Sequence, residues 1–254
     1  MRTALPYILS VWLMAFTHAF AEDPKPGDIV TSSLSMKLAY IPPGQFTMGS
    51  PDTEPGRTTN EKQSKEIIHK GFLMSVTEVT QKQWREVMEN NPSFFKGDGF
   101  PVEHITWHEA MEFCRRLSDK EKKTFRLPTG TEWEYACRAG TTTVYNTGLT
   151  LAALSKSGWF NQNSGNRSHP VGLKQPNAWG LYDMHGNVSE WCAYHTDTFK
   201  TDSKLVNQEI EEGRDLRGGS WGLTISDCRS ASRHRNHGRF RYFDLGLRVL
   251  CEMP

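Results

Sequence analysis

Beyond its first twenty or so residues, the sequence has no apolar run long enough to cross a bilayer as a helix, so no transmembrane helix is expected there. It has no basic block to neutralise nucleic-acid phosphates and no acidic tail; formal net charge is +1, with both signs mixed along the chain. There is no G-x-G-x-x-G and no phosphate-binding loop, so nothing marks a nucleotide site. There is no internal repeat and no low-complexity segment. Cysteine is sparse: five residues, Cys114, Cys137, Cys192, Cys228 and Cys251, with no C-x-x-C. That pattern suggests neither a zinc ribbon nor a thioredoxin-type site, and an odd count leaves at least one thiol unpaired in a monomer. Leu, Ile and Val are not abundant, whereas Trp occurs eight times and Phe thirteen times. A core built from this composition leans on aromatic rings, each burying a large area.

The first 21 residues read as a secretory signal. Arg2 supplies the positive start, Leu5 to Phe16 is mostly apolar but too short to span, and Ala19-Phe20-Ala21 fits the small-x-small cleavage rule. The mature chain is expected to begin at Glu22 and to be secreted or periplasmic, with no membrane attachment after cleavage. Residues 22–35 read as a polar lead-in, residues 51–65 as a loop, and residues 197–215 as a loop or weak helix.

Three helices carry one start signal, a capping box. Thr accepts from the amide three residues on, and a Glu or Gln there returns to the Thr amide. Thr80-x-x-Gln83 predicts a helix through Trp84, Val87 and Met88. Thr106-x-x-Glu109 predicts another, with Trp107, Ala110, Met111, Cys114 and Leu117 as its buried stripe. Thr129-x-x-Glu132 predicts a third, buried through Trp133, Ala136 and Cys137 and stopping at Gly140. The remainder is short strand and turn, with Leu38 to Gly49 alternating in part and bending at Pro42-Pro43-Gly44.

Residues 180–191, GLYDMHGNVSEW, set two carboxylates around a glycine turn. A hard cation prefers oxygens, and carboxylates plus turn carbonyls supply them. Equally, Asp183 and Glu190 could simply accept from backbone donors of the turn. His104 and His108 lie on either side of a helix start and share no face. His234 and His237 have no evident carboxylate at metal spacing apart from nearby Asp244.

Eight segments, in order, resemble one family: IPPGQFTMGS (41–50), EVTQKQW (78–84), VEHITWHEAMEFC (102–114), RLPTGTEWEYACRAG (126–140), HPVGLKQPNAWGLYDMHGNVSEW (169–191), LRGGSW (216–221), CRSASRHR (228–235) and LGLRV (245–249). They resemble the formylglycine-generating-enzyme, or sulfatase-modifying-factor, family. The resemblance implies an α+β, C-type-lectin-like fold with sparse regular secondary structure over residues 36–254. It also implies a structural Ca²⁺ held by side-chain oxygens of Asp183 and Glu190 and backbone carbonyls of Gly186 and Val188. Ser189 stands where that family usually has Trp.

Active members of the family hold Cu(I) on two cysteines that follow the Gly-Gly-Ser motif. Counted from Gly218-Gly219-Ser220, those positions are Leu223 and Cys228. Counted back from Arg229-x-x-x-Arg233, Cys228 sits three residues off the second position. In either register the first thiol is missing, so no Cu(I) is expected. Cys228 itself reads as a buried thiol, a disulfide partner or a lone nucleophile, with His234 and His237 downstream. Cys137 matches a family disulfide cysteine whose partner position is Ser230. Cys114 matches another, whose partner falls at Val249, and Cys251 two residues on could take its place. Arg229, Arg233 and Arg248 read as structural forks onto carbonyls and carboxylates. Taken together, the resemblance implies an exported binding or scaffold module with a protein or peptide partner. Sulfatase maturation and another oxidase, of the siderophore-maturation type, are the alternatives.

Overall fold

The computed structural model describes residues 23–193 and 213–253. The signal segment, the expected cleavage point and most of the 197–215 loop lie outside the described residues. Three short sheets and four helices make up the described fold. The first sheet has five strands in the order β1-β2-β5-β11-β6, all antiparallel: β1 (Ile29–Thr31), β2 (Lys37–Ile41), β5 (Phe72–Ser75), β6 (Phe125–Arg126) and β11 (Leu250–Glu252). A two-stranded sheet pairs β3 (Gly44–Met48) with β4 (Ser64–Ile68). The third joins β10 (Leu245–Gly246), β7 (Ser189–Trp191), β8 (Arg214–Arg217) and β9 (His234–Asn236), with β10 parallel to β7. The fold class is the expected α+β with sparse regular structure.

All three capping boxes form. The helices are α1 (Gln81–Met88), α2 (Trp107–Glu121) and α3 (Gly130–Arg138). Thr80, Thr106 and Thr129 accept from the N3 amide at 3.2, 3.1 and 3.2 Å, and Gln83, Glu109 and Glu132 accept from the Thr amide at 3.0, 2.8 and 2.8 Å. The stop of α3 is shared between Ala139 and Gly140, both at positive φ. A fourth helix, α4 (Leu151–Ser157), was not expected. Its Thr150 cap accepts from Ala153, which has no side-chain oxygen to close a box, so the recognisable signal is absent.

The boundary at residue 36 moves. β1 lies inside the polar lead-in and pairs with β2, and Leu34 is buried in the core. Ile29 and Thr31 face outward on this edge strand, and the charged and hydroxyl residues around the strand made the segment read as polar. Likewise, residues 214 and 215 open β8 rather than continuing a loop. The Pro42-Pro43 turn is real, but β2 and β3 go to different sheets.

The main core packs α1 and α2 against the five-stranded sheet. Trp84 and Phe113 stack at 5.2 Å with ring planes 2° apart. Burying each such ring is worth about 5 kcal/mol before entropy is subtracted. Cys114 and Cys251 share this core but are not bridged; all five cysteines are free and buried. Each acts as a small apolar filler.

Candidate functional site

The resembling motifs converge on two places, an internal charge cluster and the buried Ser220 beneath a surface face. The cluster starts with Arg248, which follows β10 and is fully buried. Its guanidinium forks onto Glu190 of β7 at 2.9 and 3.1 Å and donates to the carbonyls of Ser75 and Tyr182, both at 2.8 Å. Glu190 also accepts from the Trp133 indole at 2.6 Å. The 180–191 turn places Asp183 and Asn187 at positive φ. At Gly186, φ +133°, a Cβ would fall 2.0 Å from the Trp159 carbonyl oxygen, so only glycine fits. Asp183 Oδ2 accepts from the Gly172 amide at 2.7 Å, and the Val188 amide donates to Glu78 at 3.4 Å.

Two oxygens in this cluster have no hydrogen-bond partner, Asp183 Oδ1 and Glu78 Oε2. Three carboxylates, Glu78, Asp183 and Glu190, surround the single guanidinium of Arg248, all essentially buried. Burial, and then the charge of Asp183, push the Glu78 carboxyl well above its ordinary range. Burial raises Asp183 to about 6. If ionised throughout, the group carries a formal charge of −2, which a buried site cannot keep uncompensated. The donor set therefore fits a hard cation through Asp183 and Glu78, while Glu190 is engaged as the counter-ion of Arg248. Among the described residues no three His, Cys, Asp or Glu side chains converge as a metal site. Glu78 was not singled out from the sequence, although it opens the matching segment 78–84.

Cys228 does not sit as a nucleophile. It is wholly buried among Tyr145, Leu154 and Phe160, and burial pushes its thiol far above the ordinary range. No imidazole or carboxylate among the described residues hydrogen-bonds its sulfur. Its carbonyl accepts from His185 Nδ1 at 2.8 Å. Burial drops His185 to about 4, so the ring is neutral and its Nε2 accepts from the Asn146 amide at 3.0 Å. His234 instead faces Asp227 at 3.3 Å. Leu223 is half-buried; its amide donates to the Ser220 carbonyl and its carbonyl accepts from the Asn161 amide. One buried thiol and one leucine do not fit a two-thiolate copper site. Ser230 faces Cys137, whose thiol burial raises to about 12.

The arginines of the motifs are structural. Arg229 forks onto Glu61 at 2.7 Å and reaches Glu54 at 2.8 Å. Arg217 and Arg138 share Glu134, at 2.6 and 3.0 Å, with Arg233 nearby at 3.8 Å. Arg235 and Arg241 pair with Asp215 and Glu109 on the surface, at 2.8 and 2.9 Å.

Ser220 is buried and lies beneath a surface face. Its hydroxyl donates to Asp244 at 2.6 Å, and the Trp221 indole donates to the Phe243 carbonyl at 3.1 Å. Behind it, buried Glu103 accepts from the amides of Phe94 and Phe95, and its second oxygen has no partner. Burial raises Glu103 to about 7, with Asp244 adding to the shift. Phe94 and Phe243 are 60% and 46% exposed and lie 4.6 Å apart, while Phe95 meets Trp221 edge-on. Arg167 lies over Phe95 and Phe100, at 5.7 and 5.5 Å. The pair Phe94-Phe95, in an otherwise polar connection, was the available sequence signal for this face.

Fold and site together define a lectin-like scaffold with a motif-bearing surface and an altered thiol position. A family model described as sulfatase-modifying factor enzyme 1-like domain matches residues 31–253. The chain belongs to this family. It is 34% identical to "Chaperone protein LppX" of Paenibacillus barcinonensis, over 73% of this chain and 82% of that protein. It is 32% identical to the formylglycine-generating enzyme of Streptomyces coelicolor, over 58% of this chain and 51% of that one. It is 28% identical to serine/threonine-protein kinase pkn1 of Chlamydia pneumoniae over 87% of its length, yet spans only 38% of that protein. Among solved structures, Treponema denticola variable protein 1 superposes with a TM-score of 0.77 at 28% identity, covering 89% of this chain and 99% of that one. PvdO from Pseudomonas aeruginosa gives 0.77 at 26%, covering 90% and 99%.

Proposed function

We propose that this protein is a non-catalytic member of its family, exported from the cytoplasm, that binds a protein partner through the face formed by Phe94, Phe95, Phe243 and Asp244 above the buried Ser220. The observation that carries this reading is the thiol position: in either register the first of the two expected cysteines is missing, and Cys228 is buried without a base. Exposed phenylalanines backed by a buried carboxyl suit a contact surface better than a reaction centre. The likeness to a protein named as a chaperone agrees with that direction. The export assignment rests on the first 21 residues. A structural Ca²⁺ held by Asp183 with Glu78 completes the proposal, since a hard cation would compensate the buried negative charge. The deciding experiment loads the mature protein with Cu(I) and offers a Cys-x-Pro-x-Arg peptide. No aldehyde and no tight Cu(I) uptake are expected; turnover would restore sulfatase maturation as the function. The N-terminal sequence of the exported protein should begin at Glu22.

A further inference from the structure

A second surface lies along β3 and shares no lining residue with the face above Ser220, so it stands apart from the reading above. β3 pairs only with β4; its other edge has no backbone partner among the described residues. Exposed edges are commonly protected by charge, proline or a covering segment. β4 carries Lys65 and Glu66, whereas β3, Gly44-Gln45-Phe46-Thr47-Met48, has neither charge nor proline.

Beside β3 lies a cleft of about 540 Å³, bordered by residues 140–142 and lined by Gln45, Phe46, Thr47 and Lys65 together with Tyr135 and Trp179. Its apolar wall is an aromatic trough. Phe46 and Tyr135 lie 5.2 Å apart at 51°, and Tyr135 and Trp179 lie 4.9 Å apart at 63°. Tyr135 is held in place on α3, leaving Phe46 and Trp179 half-exposed as the two sides. The charged side chains of the lining are both cationic. Arg138 shares Glu134, at 3.0 Å, with Arg217, while Lys65 donates to the Thr47 hydroxyl at 2.8 Å and pairs with no described carboxylate.

We propose that the free edge of β3 receives an extended segment of another protein as an added strand. Main-chain hydrogen bonds to Gly44–Met48 supply affinity. An aliphatic or aromatic side chain of the segment fills the trough, and an acidic residue of the segment meets Lys65. Charge complementarity and the absence of any carboxylate in the lining select an acidic, rather than a basic, partner segment.

The test pans the mature protein against a phage-displayed library of random dodecapeptides, then resynthesises the enriched peptide with N-methyl groups on alternate residues, in both phases. An added strand turns only every second amide toward its neighbour. One phase should therefore lose at least tenfold in affinity and the other should be nearly unaffected. Lys65→Glu, an exposed and structurally mild change, should weaken the acidic peptide by about tenfold while leaving the circular dichroism spectrum unchanged. Failure to enrich any peptide, equal tolerance of both methylation phases, or indifference to Lys65→Glu would each overturn the proposal. So would saturable binding of a saccharide from a glycan array that Lys65→Glu and Trp179→Ala abolish without any peptide competing.

Discussion

Glu61 and Glu134 are held low by their arginine partners despite burial, whereas Glu103, Asp183 and Glu78 are pushed up by burial. Glu103 is the clearest case for a pH experiment. Its carboxyl titrates near the ordinary value of 4.5 when unfolded but at about 7 when folded. Below 4.5 both states are protonated and its stabilising contribution is complete. As pH rises from 4.5 to 7 the unfolded chain releases the proton first, so stability falls, and the loss is complete above 7. Glu103→Gln should remove this slope, by an amount on the order of 2 kcal/mol, as read from urea midpoints at pH 5 and pH 8. Asp183 tests the cation reading. Ca²⁺ should raise the melting temperature of the wild type and not that of Asp183→Asn. An equal response in both would place the compensation of Asp183 and Glu78 in protons alone. At the buried forks, Arg229→Met leaves Glu54 and Glu61 unpaired and should cost about 3–5 kcal/mol in chemical denaturation.

The helices are the elements most legible from residue order alone. A capping box is a local device, closed within four residues, so Thr106 and Glu109 announce α2 without help from the rest of the chain. Thr106→Ala should cost about 1 kcal/mol in thermal or urea unfolding, because it removes an acceptor for an otherwise unpaired amide. Thr150→Ala should cost less, since α4 is capped from one side only. Strands were less legible because their partners are distant: β11 is placed by β5 and β6, more than a hundred residues earlier in the chain. β1 hid for a different reason: its partner β2 is close in the chain, but three strand residues are too few to stand out from the polar segment around them. The unpaired edge of β3 is invisible from the sequence, since whether an edge is free depends on which strands arrive beside it.

Across the whole molecule, the cysteines distinguish a core held by packing from one held by bridges. With all five thiols free and buried, native protein should react slowly with maleimide, whereas unfolding without reductant should expose five reactive thiols by mass. Four reactive thiols lost as two disulfides would contradict this arrangement. Among the described residues no helix is long and apolar enough to cross a membrane. Residue order by itself determined the three capped helices and the family, because each is a statement about local pattern or residue identity. Tertiary structure alone decided that Cys228 is buried without a base and that Glu190 serves Arg248. It also decided that Glu78 joins Asp183 and that Phe94 and Phe243 stand exposed above the buried Ser220. These depend on which side chains meet across the fold and on how much water reaches them, and neither burial nor charge compensation is a property of sequence position.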